Sequence, residues 1–260
     1  MLIYPQLRSG ALSQFPVEKK RRTRTVTNMA ADGSTIKLAD PGVAETSWVL
    51  TYADLSDEEA AALLEFFEAA EGTLNGFTFL DPTGNLLARS DDLEDAAWQR
   101  DPMLSLESGI SDPAGTALAW RLSNSGSAEQ SLAQTLAATG QYQYCLSAYV
   151  RTDAAAVVWL KIGNGAAQRG VTARWTRIAL ACTGSPDDTS LRFAIEIPAG
   201  GTVEVYGLQV EPQAAPSVYK SSTRGGVFEG AHLADDVLTI SSTDANRHSC
   251  AVKVIHANHL

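Results

Sequence analysis

Cysteine is scarce in this chain. Its three residues, Cys145, Cys182 and Cys250, are odd in number and have no short metal-type spacing. Neither a disulfide framework nor a cysteine-ligated metal is therefore expected, and buried free thiols are. Long apolar runs are missing too: none approaches the roughly 20 residues that a membrane-spanning helix requires. The opening Met1-Leu2-Ile3-Tyr4-Pro5-Gln6-Leu7 lacks the charged, apolar and small-residue regions of a secretory signal. The chain is expected to be made and kept in a cytoplasm until something releases it. Positive charge is in deficit, with 20 Lys and Arg against 30 Asp and Glu, which argues against a nucleic-acid binder overall. Catalytic signatures such as Gly-x-Ser-x-Gly, a phosphate-binding loop or His-Glu-x-x-His do not occur. The acidic residues stand in no distinctive motif, so no catalytic residue, metal site or cofactor is expected.

What the chain does contain is strand text. A composition of 45% hydrophobic and 19% charged residues suits a packed core, and 260 residues suffice for one large β domain or two ordinary ones. Residues 1–15, punctuated by Pro5 and Gly10 and followed by Pro16, read as an irregular arm laid along something larger. Strands are expected over 18–27 and 35–38 around an Asp32-Gly33-Ser34 turn, with Asp40-Pro41-Gly42 breaking the second. The stretch 46–52 alternates Trp48, Leu50 and Tyr52 on one face.

One amphipathic helix is expected over about 56–71, with Ser56 and Glu59 as a capping box and Gly72 as the stop. Ala60, Leu63, Leu64, Phe67 and Ala70 form its apolar stripe, and its glutamates read as a solvated outer face. Residues 85–222 hold short alternating strands between turns, the pattern of a β-sandwich. Within them Trp120 and Trp159 are assigned to the core, and Trp98 and Trp175 to packing. The last section, 223–260, has two strands, too few to stand alone but able to complete a sheet left unfinished by residues 18–80. All four histidines, His232, His248, His256 and His259, lie in it and read as surface residues, not metal ligands. The expected division is thus 1–84, an inserted 85–222, and a closing 223–260, with the seam between Gly72 and Trp98.

Several anchors sharpen that division. Asn85-Leu86-Leu87, Trp98, the strand from Tyr144 to Arg151, Trp175-Thr176-Arg177, Tyr206-Gly207-Leu208-Gln209-Val210-Glu211 and Tyr219 follow one another in order. Together they resemble a carbohydrate-binding-like β-sandwich module of bacteriophage tail and tail-fibre proteins. The flanks, through Gly72-Thr73-Leu74-Asn75-Gly76-Phe77-Thr78-Phe79-Leu80-Asp81-Pro82 after an acidic helix, resemble the distal tail protein, or tail-tip hub, of long-tailed phages. The resemblance implies a mainly β fold: a tail-hub β-sandwich with one helix, interrupted by a jelly-roll-like β-sandwich. It also implies a virion protein forming a hexameric ring between tail tube and tip or baseplate, with other tail proteins as partners. The inserted module would then project outward and bind host-surface polysaccharide during adsorption. The alternative is a glycan-binding adhesin or tail-fibre receptor-binding protein without a ring-forming role.

Two sets of candidate residues follow. The run Lys19-Lys20-Arg21-Arg22-Thr23-Arg24 reads either as a solvated strand edge or as a subunit or nucleic-acid contact. With Tyr4 and Leu7 of the arm, Lys19, Lys20, Arg21, Arg22 and Arg24 make up the candidate subunit interface. In the inserted module, the polar loop from Gly163 to Arg169 offers Asn164, Gln168 and Arg169 for a glycan, against the plainer reading of a hairpin turn.

Overall fold

The computed structural model describes residues 2–154 and 156–257; His259 lies outside them. The fold is mainly β, with antiparallel sheets and, among the described residues, one α-helix. In chain order the first elements are β1 (Val17–Met29), β2 (Thr35–Leu55), α1 (Asp57–Ala70) and β3 (Phe77–Leu80). There follow β4 (Gln99–Arg100), β5 (Leu104–Ile110), β6 (Ala119–Asn124), β7 (Gln130–Leu136) and β8 (Tyr144–Arg151). Next come β9 (Ala156–Ile162), β10 (Gly165–Val171), β11 (Thr176–Cys182), β12 (Leu191–Ile197) and β13 (Thr202–Glu211). The chain ends with β14 (Val227–Leu233), β15 (Ile240–Asp244) and β16 (Arg247–Ala257). Two units result: Met1–Leu7, Ser13–Phe79 and Phe228–Leu260 form the first, Arg8–Leu12 and Leu80–Val227 the second.

The first unit is a sheet in the order β1-β2-β16-β14-β3, with β15 paired to β16. Helix α1 starts where Ser56 Oγ accepts the Glu59 N–H (3.2 Å) and the Glu59 carboxylate accepts the Ser56 N–H (3.0 Å), a closed capping box. It ends at Glu71, in the left-handed region at φ 50°, before Gly72. The buried stripe is Ala60, Leu63, Phe66 and Ala70, whereas Leu64 is 44% exposed. The stripe therefore lies one residue away from the expected Phe67. Its phase is set by aromatic packing, since the Phe66 ring lies 5.1 Å from that of Tyr4 and 5.0 Å from that of Phe77.

Two expectations are corrected here. Residues 1–15 are not one loose arm: Tyr4 is 1% exposed in the first unit's core, its hydroxyl 2.8 Å from that of Tyr52, and Arg8–Leu12 packs in the second unit. Nor does Asp40-Pro41-Gly42 end its strand, because β2 runs on to Leu55. The reason is a bulge. Arg22 pairs with Glu45 and Arg24 with Asp40, so residues 41–44 of β2 face the single Thr23 of β1. A proline is tolerated there because its position makes no ladder bond.

The second unit consists of two five-stranded sheets, β10-β9-β12-β7-β4 and β11-β8-β13-β6-β5. Alternation along each strand fills the interior with Val158, Leu160, Ile162, Phe193 and Ile195 from one sheet and Tyr144, Leu146, Ala148 and Val150 from the other. Cys145 and Cys250 are buried free thiols and Cys182 is half-buried. Burial pushes the Cys145 and Cys250 thiols up to about 11, which keeps them protonated and inert at neutral pH.

Candidate functional site

Because side chains alternate across a strand, the residues that do not enter the core of the β10-β9-β12-β7-β4 sheet form its outer face. On β9 these are Val157, Trp159 and Lys161. Register places Gln168 of β10 and Glu196 of β12 on either side of Trp159. Trp159 is the aromatic side chain of this face, half-buried and free to present its ring to solvent. The surrounding charges are neutralised locally: Lys161 Nζ lies 2.7 Å from Glu196 Oε2. Arg192 Nη2 donates to Ser131 Oγ at 2.6 Å, and that hydroxyl donates to Asp101 Oδ2 at 2.7 Å. Between these longer side chains the floor consists of Ser131, Ala133 and Ala194, each nearly without exposure. The face thus pairs its charges locally, with one indole edged by amide, carboxylate and ammonium groups. It suits a ligand with an apolar face and many hydroxyls.

The three loop candidates separate in this geometry. Gln168 is exposed beside Trp159, and Asn164 is exposed at the β9–β10 turn. Arg169 points the other way and is occupied: its Nε and Nη2 donate to the Ala179 carbonyl at 3.0 and 2.8 Å, tying β10 to β11. Arg169 therefore acts as a staple between sheet edges. Trp159, assigned to the core from its alternating strand, belongs instead to the outer face, since Val158 and Leu160 take the interior parity. The signal was present in the sequence, because Lys161 shares the parity of Trp159. Trp120 and Trp98, each 8% exposed, are packed, with their indole N–H groups donating to the Asp91 and Arg89 carbonyls at 3.1 and 3.0 Å.

The interface candidates lie in the first unit. Tyr4 is buried, which takes it out of any surface contact, and Leu7 is half-buried. Lys19 is exposed with its ammonium over the rings of Trp48 (5.7 Å) and Phe228 (5.8 Å). Lys20 pairs with Glu18 at 2.9 Å and Arg24 with Asp40 at 3.6 Å. Arg21 and Arg22 are exposed and make no ion pair among the described residues.

The opposite sheet carries an ion ladder instead of a platform. Arg151 and Arg121 both reach Glu204, at 2.5 and 2.8 Å, and Arg121 also reaches Glu107 at 2.7 Å. A cleft of about 360 Å³ lies beside it, lined by Arg121, Thr152, Asp153, Thr202 and Glu204. The ladder is self-satisfied and reads as structural. Burial alone would raise the Glu204 carboxyl, but hydrogen bonds from Arg151 and Arg121 outweigh it and hold it below the ordinary carboxylate range. A depressed folded value means that the stability Glu204 contributes is full above the unfolded value of about 4.3 and lost as pH falls through the folded one. Glu204→Gln is thus expected to cost about 1–3 kcal/mol at pH 7, and the gap to wild type should narrow toward pH 3. Denaturant titrations at the two pH values check this, and a gap that does not depend on pH would refute it.

Fold and face together define a two-unit β protein whose second unit is an antiparallel sandwich with one indole-centred, polar-rimmed outer face. No protein-family model matches the chain, and no curated protein matches it. Among solved structures it is similar to the tailspike protein 4 enzymatically active domain of bacteriophage CBA120, at 13% identity and a TM-score of 0.38, over 50% of this chain and 22% of that one. It is also similar to the C-terminal family 22 carbohydrate-binding module of Clostridium thermocellum Xyn10B (12% identity, TM-score 0.41, 54% of this chain and 99% of that one). A third is the CBM22-1 xylan-binding domain of Paenibacillus barcinonensis Xyn10C (10% identity, TM-score 0.38, 54% and 94%).

Proposed function

We propose that the second unit binds a neutral surface polysaccharide on the Trp159 face and that the first unit carries it in a phage tail. The observation that supports this is Trp159 itself, an outward indole flanked in register by Gln168 and Glu196. A pyranose ring stacks its C–H face on such a ring, while its hydroxyls exchange hydrogen bonds with side chains already ordered by one another. The setting is supported by the ordered sequence anchors that resemble phage tail modules. Single-site binding is expected to be weak, in keeping with one aromatic, and copies presented together would gain avidity of about 10² to 10⁴ where spacing allows. Hydrolysis is no part of the reading: glycoside hydrolysis uses two carboxyl groups flanking the bond, and on this face Glu196 is engaged by Lys161 and Asp101 by Ser131.

The test is affinity electrophoresis of the whole protein through gels containing host-envelope polysaccharides. Retardation by a neutral polysaccharide, unchanged between low and high salt, is expected. Failure to be retarded by any neutral polysaccharide, or retardation that salt abolishes, would refute the neutral-glycan reading. In the same samples no new reducing ends should appear over hours of incubation, and their release would overturn the non-catalytic reading.

A second reading, in which the first unit assembles as the ring joining tail tube to tip, is favoured by one feature. The end of β1 from Arg24 and the start of β2 up to Asp40 form a ribbon that pairs with no third strand among the described residues.

A further inference from the structure

The ribbon makes a specific demand. Among the described residues the strands pair only with each other from Arg24 to Met29 and from Thr35 to Asp40, since β16 joins β2 from Glu45 onward. Between residues 24 and 40 all side chains except those of Val26, Ala30 and Asp40 are exposed. A lone two-stranded hairpin is marginal in water. This one also leaves Met29 81%, Ile36 48% and Leu38 51% exposed, with Val26 opposite Leu38 on one of its faces. At its root stand Arg21 and Arg22, exposed and without an ion pair among the described residues. The missing partner must therefore be acidic and partly apolar.

The first unit displays such a surface elsewhere. Glu65 and Glu68 occupy exposed positions of α1 and Glu71 is its exposed C-cap, and none of the three makes an ion pair among the described residues. They crowd the C-terminal half of the helix, where the macrodipole favours cations, and its last turn holds no basic residue. Asp236 accepts the Thr73 N–H at 2.8 Å just beyond that end, and the neighbouring Leu74 and Val237 are 66% and 76% exposed. Uncompensated acid and exposed apolar side chains on one patch match the uncompensated cations and apolar side chains of the ribbon.

We propose that the β1–β2 ribbon of one copy seats, by the face that carries Arg22, Val26 and Leu38, on the Glu65–Glu68 stretch of α1 of a second copy, with Arg22 opposite those carboxylates. This rests on the assembly reading of the first unit and names its interface. Because the two patches differ, the contact is head to tail and repeats into a closed ring or a filament.

The test uses the whole protein and measures mass in solution by light scattering at low and high salt. Wild type should assemble at low salt and dissociate as salt rises. Arg21→Glu with Arg22→Glu should lower association at least about a hundredfold, and so should Glu65→Lys with Glu68→Lys, because each places like charges in contact. Mixing the two variants should restore assemblies containing both, because each ribbon then meets a face of opposite charge. Circular dichroism and glycan retardation per copy should be unchanged in both, which separates lost assembly from lost folding. A wild type that assembles while both variants assemble equally well would overturn this interface alone. A wild type that never assembles would overturn the interface together with the ring reading. Retention on DNA lost in the arginine variant, with assembly intact in the glutamate variant, would make the basic run a nucleic-acid contact and overturn it as well.

Discussion

Replacing Trp159 by alanine is expected to abolish retardation by the polysaccharide while leaving the protein folded. The indole lies on the outer parity of β9, beside Gln168 and Glu196, and takes no part in the interior row of Val158, Leu160 and Ile162. Its loss as a single central aromatic anchor should cost at least about 2 kcal/mol of binding, or roughly 30-fold in affinity. The penalty in stability should be about 1 kcal/mol, a shift of a few degrees in melting temperature for a unit of this size. Trp120→Ala makes the contrast. That side chain is 8% exposed, its N–H is bonded to the Asp91 carbonyl, and its truncation should cost about 3–5 kcal/mol. Trp159→Tyr should keep part of the binding, because a smaller ring still stacks. Isothermal titration and thermal melts on the same preparations separate the cases. Should Trp159→Ala bind as wild type, the face is not the site; should it melt as low as Trp120→Ala, the indole belongs to the core after all.

How far the sequence alone reached depends on what each residue had to decide. The helix was legible to its caps, because Ser56, Glu59 and Gly72 act on their own neighbourhood. Which face of it is buried was not, since Phe66 and Phe67 are equally apolar and the choice belongs to the Tyr4 and Phe77 rings. The continuity of β2 through Pro41 was hidden for a similar reason: a proline ends a strand unless the opposite strand skips it, and the skipping happens at Thr23. At the candidate site the loop from Gly163 to Arg169 drew attention for its polarity, yet polarity does not distinguish a staple such as Arg169 from a free group such as Gln168. Parity would have done better. A strand reading Val157-Val158-Trp159-Leu160-Lys161-Ile162 has one charged residue, and that residue marks the solvent side and the tryptophan with it.

The anchors quoted from the sequence have a common structural meaning, and it leads to the second large effect. Asn85 is 2% exposed and makes three bonds at the start of the second unit. Its Nδ2 donates to the Leu208 carbonyl (2.8 Å), and its Oδ1 accepts from the N–H groups of Leu87 (3.1 Å) and Val210 (3.0 Å). Next to it the Leu86 N–H donates to the Val210 carbonyl at 2.9 Å. Gly207, at φ 65°, leaves room for the Tyr219 ring, which a Cβ would approach to 3.0 Å. The Tyr219 hydroxyl in turn donates to Asp91 at 2.5 Å. Asn-Leu-Leu, Tyr-Gly-Leu and Tyr219 are thus one clasp that fastens the first residues of the sandwich to its last strand. Asn85→Ala removes a donor and a double acceptor together and leaves three buried backbone groups unpaired, at about 1–3 kcal/mol each before any water enters. A loss of roughly 3–5 kcal/mol is expected, lowering the melting of the second unit by about 10 °C. Asn164→Ala, at an exposed turn, should stay within about 0.5 kcal/mol of wild type. Calorimetry of the three proteins checks the claim, and an Asn85→Ala variant within about 1 kcal/mol of wild type would show that the clasp is replaceable by solvent and that the anchor holds nothing together.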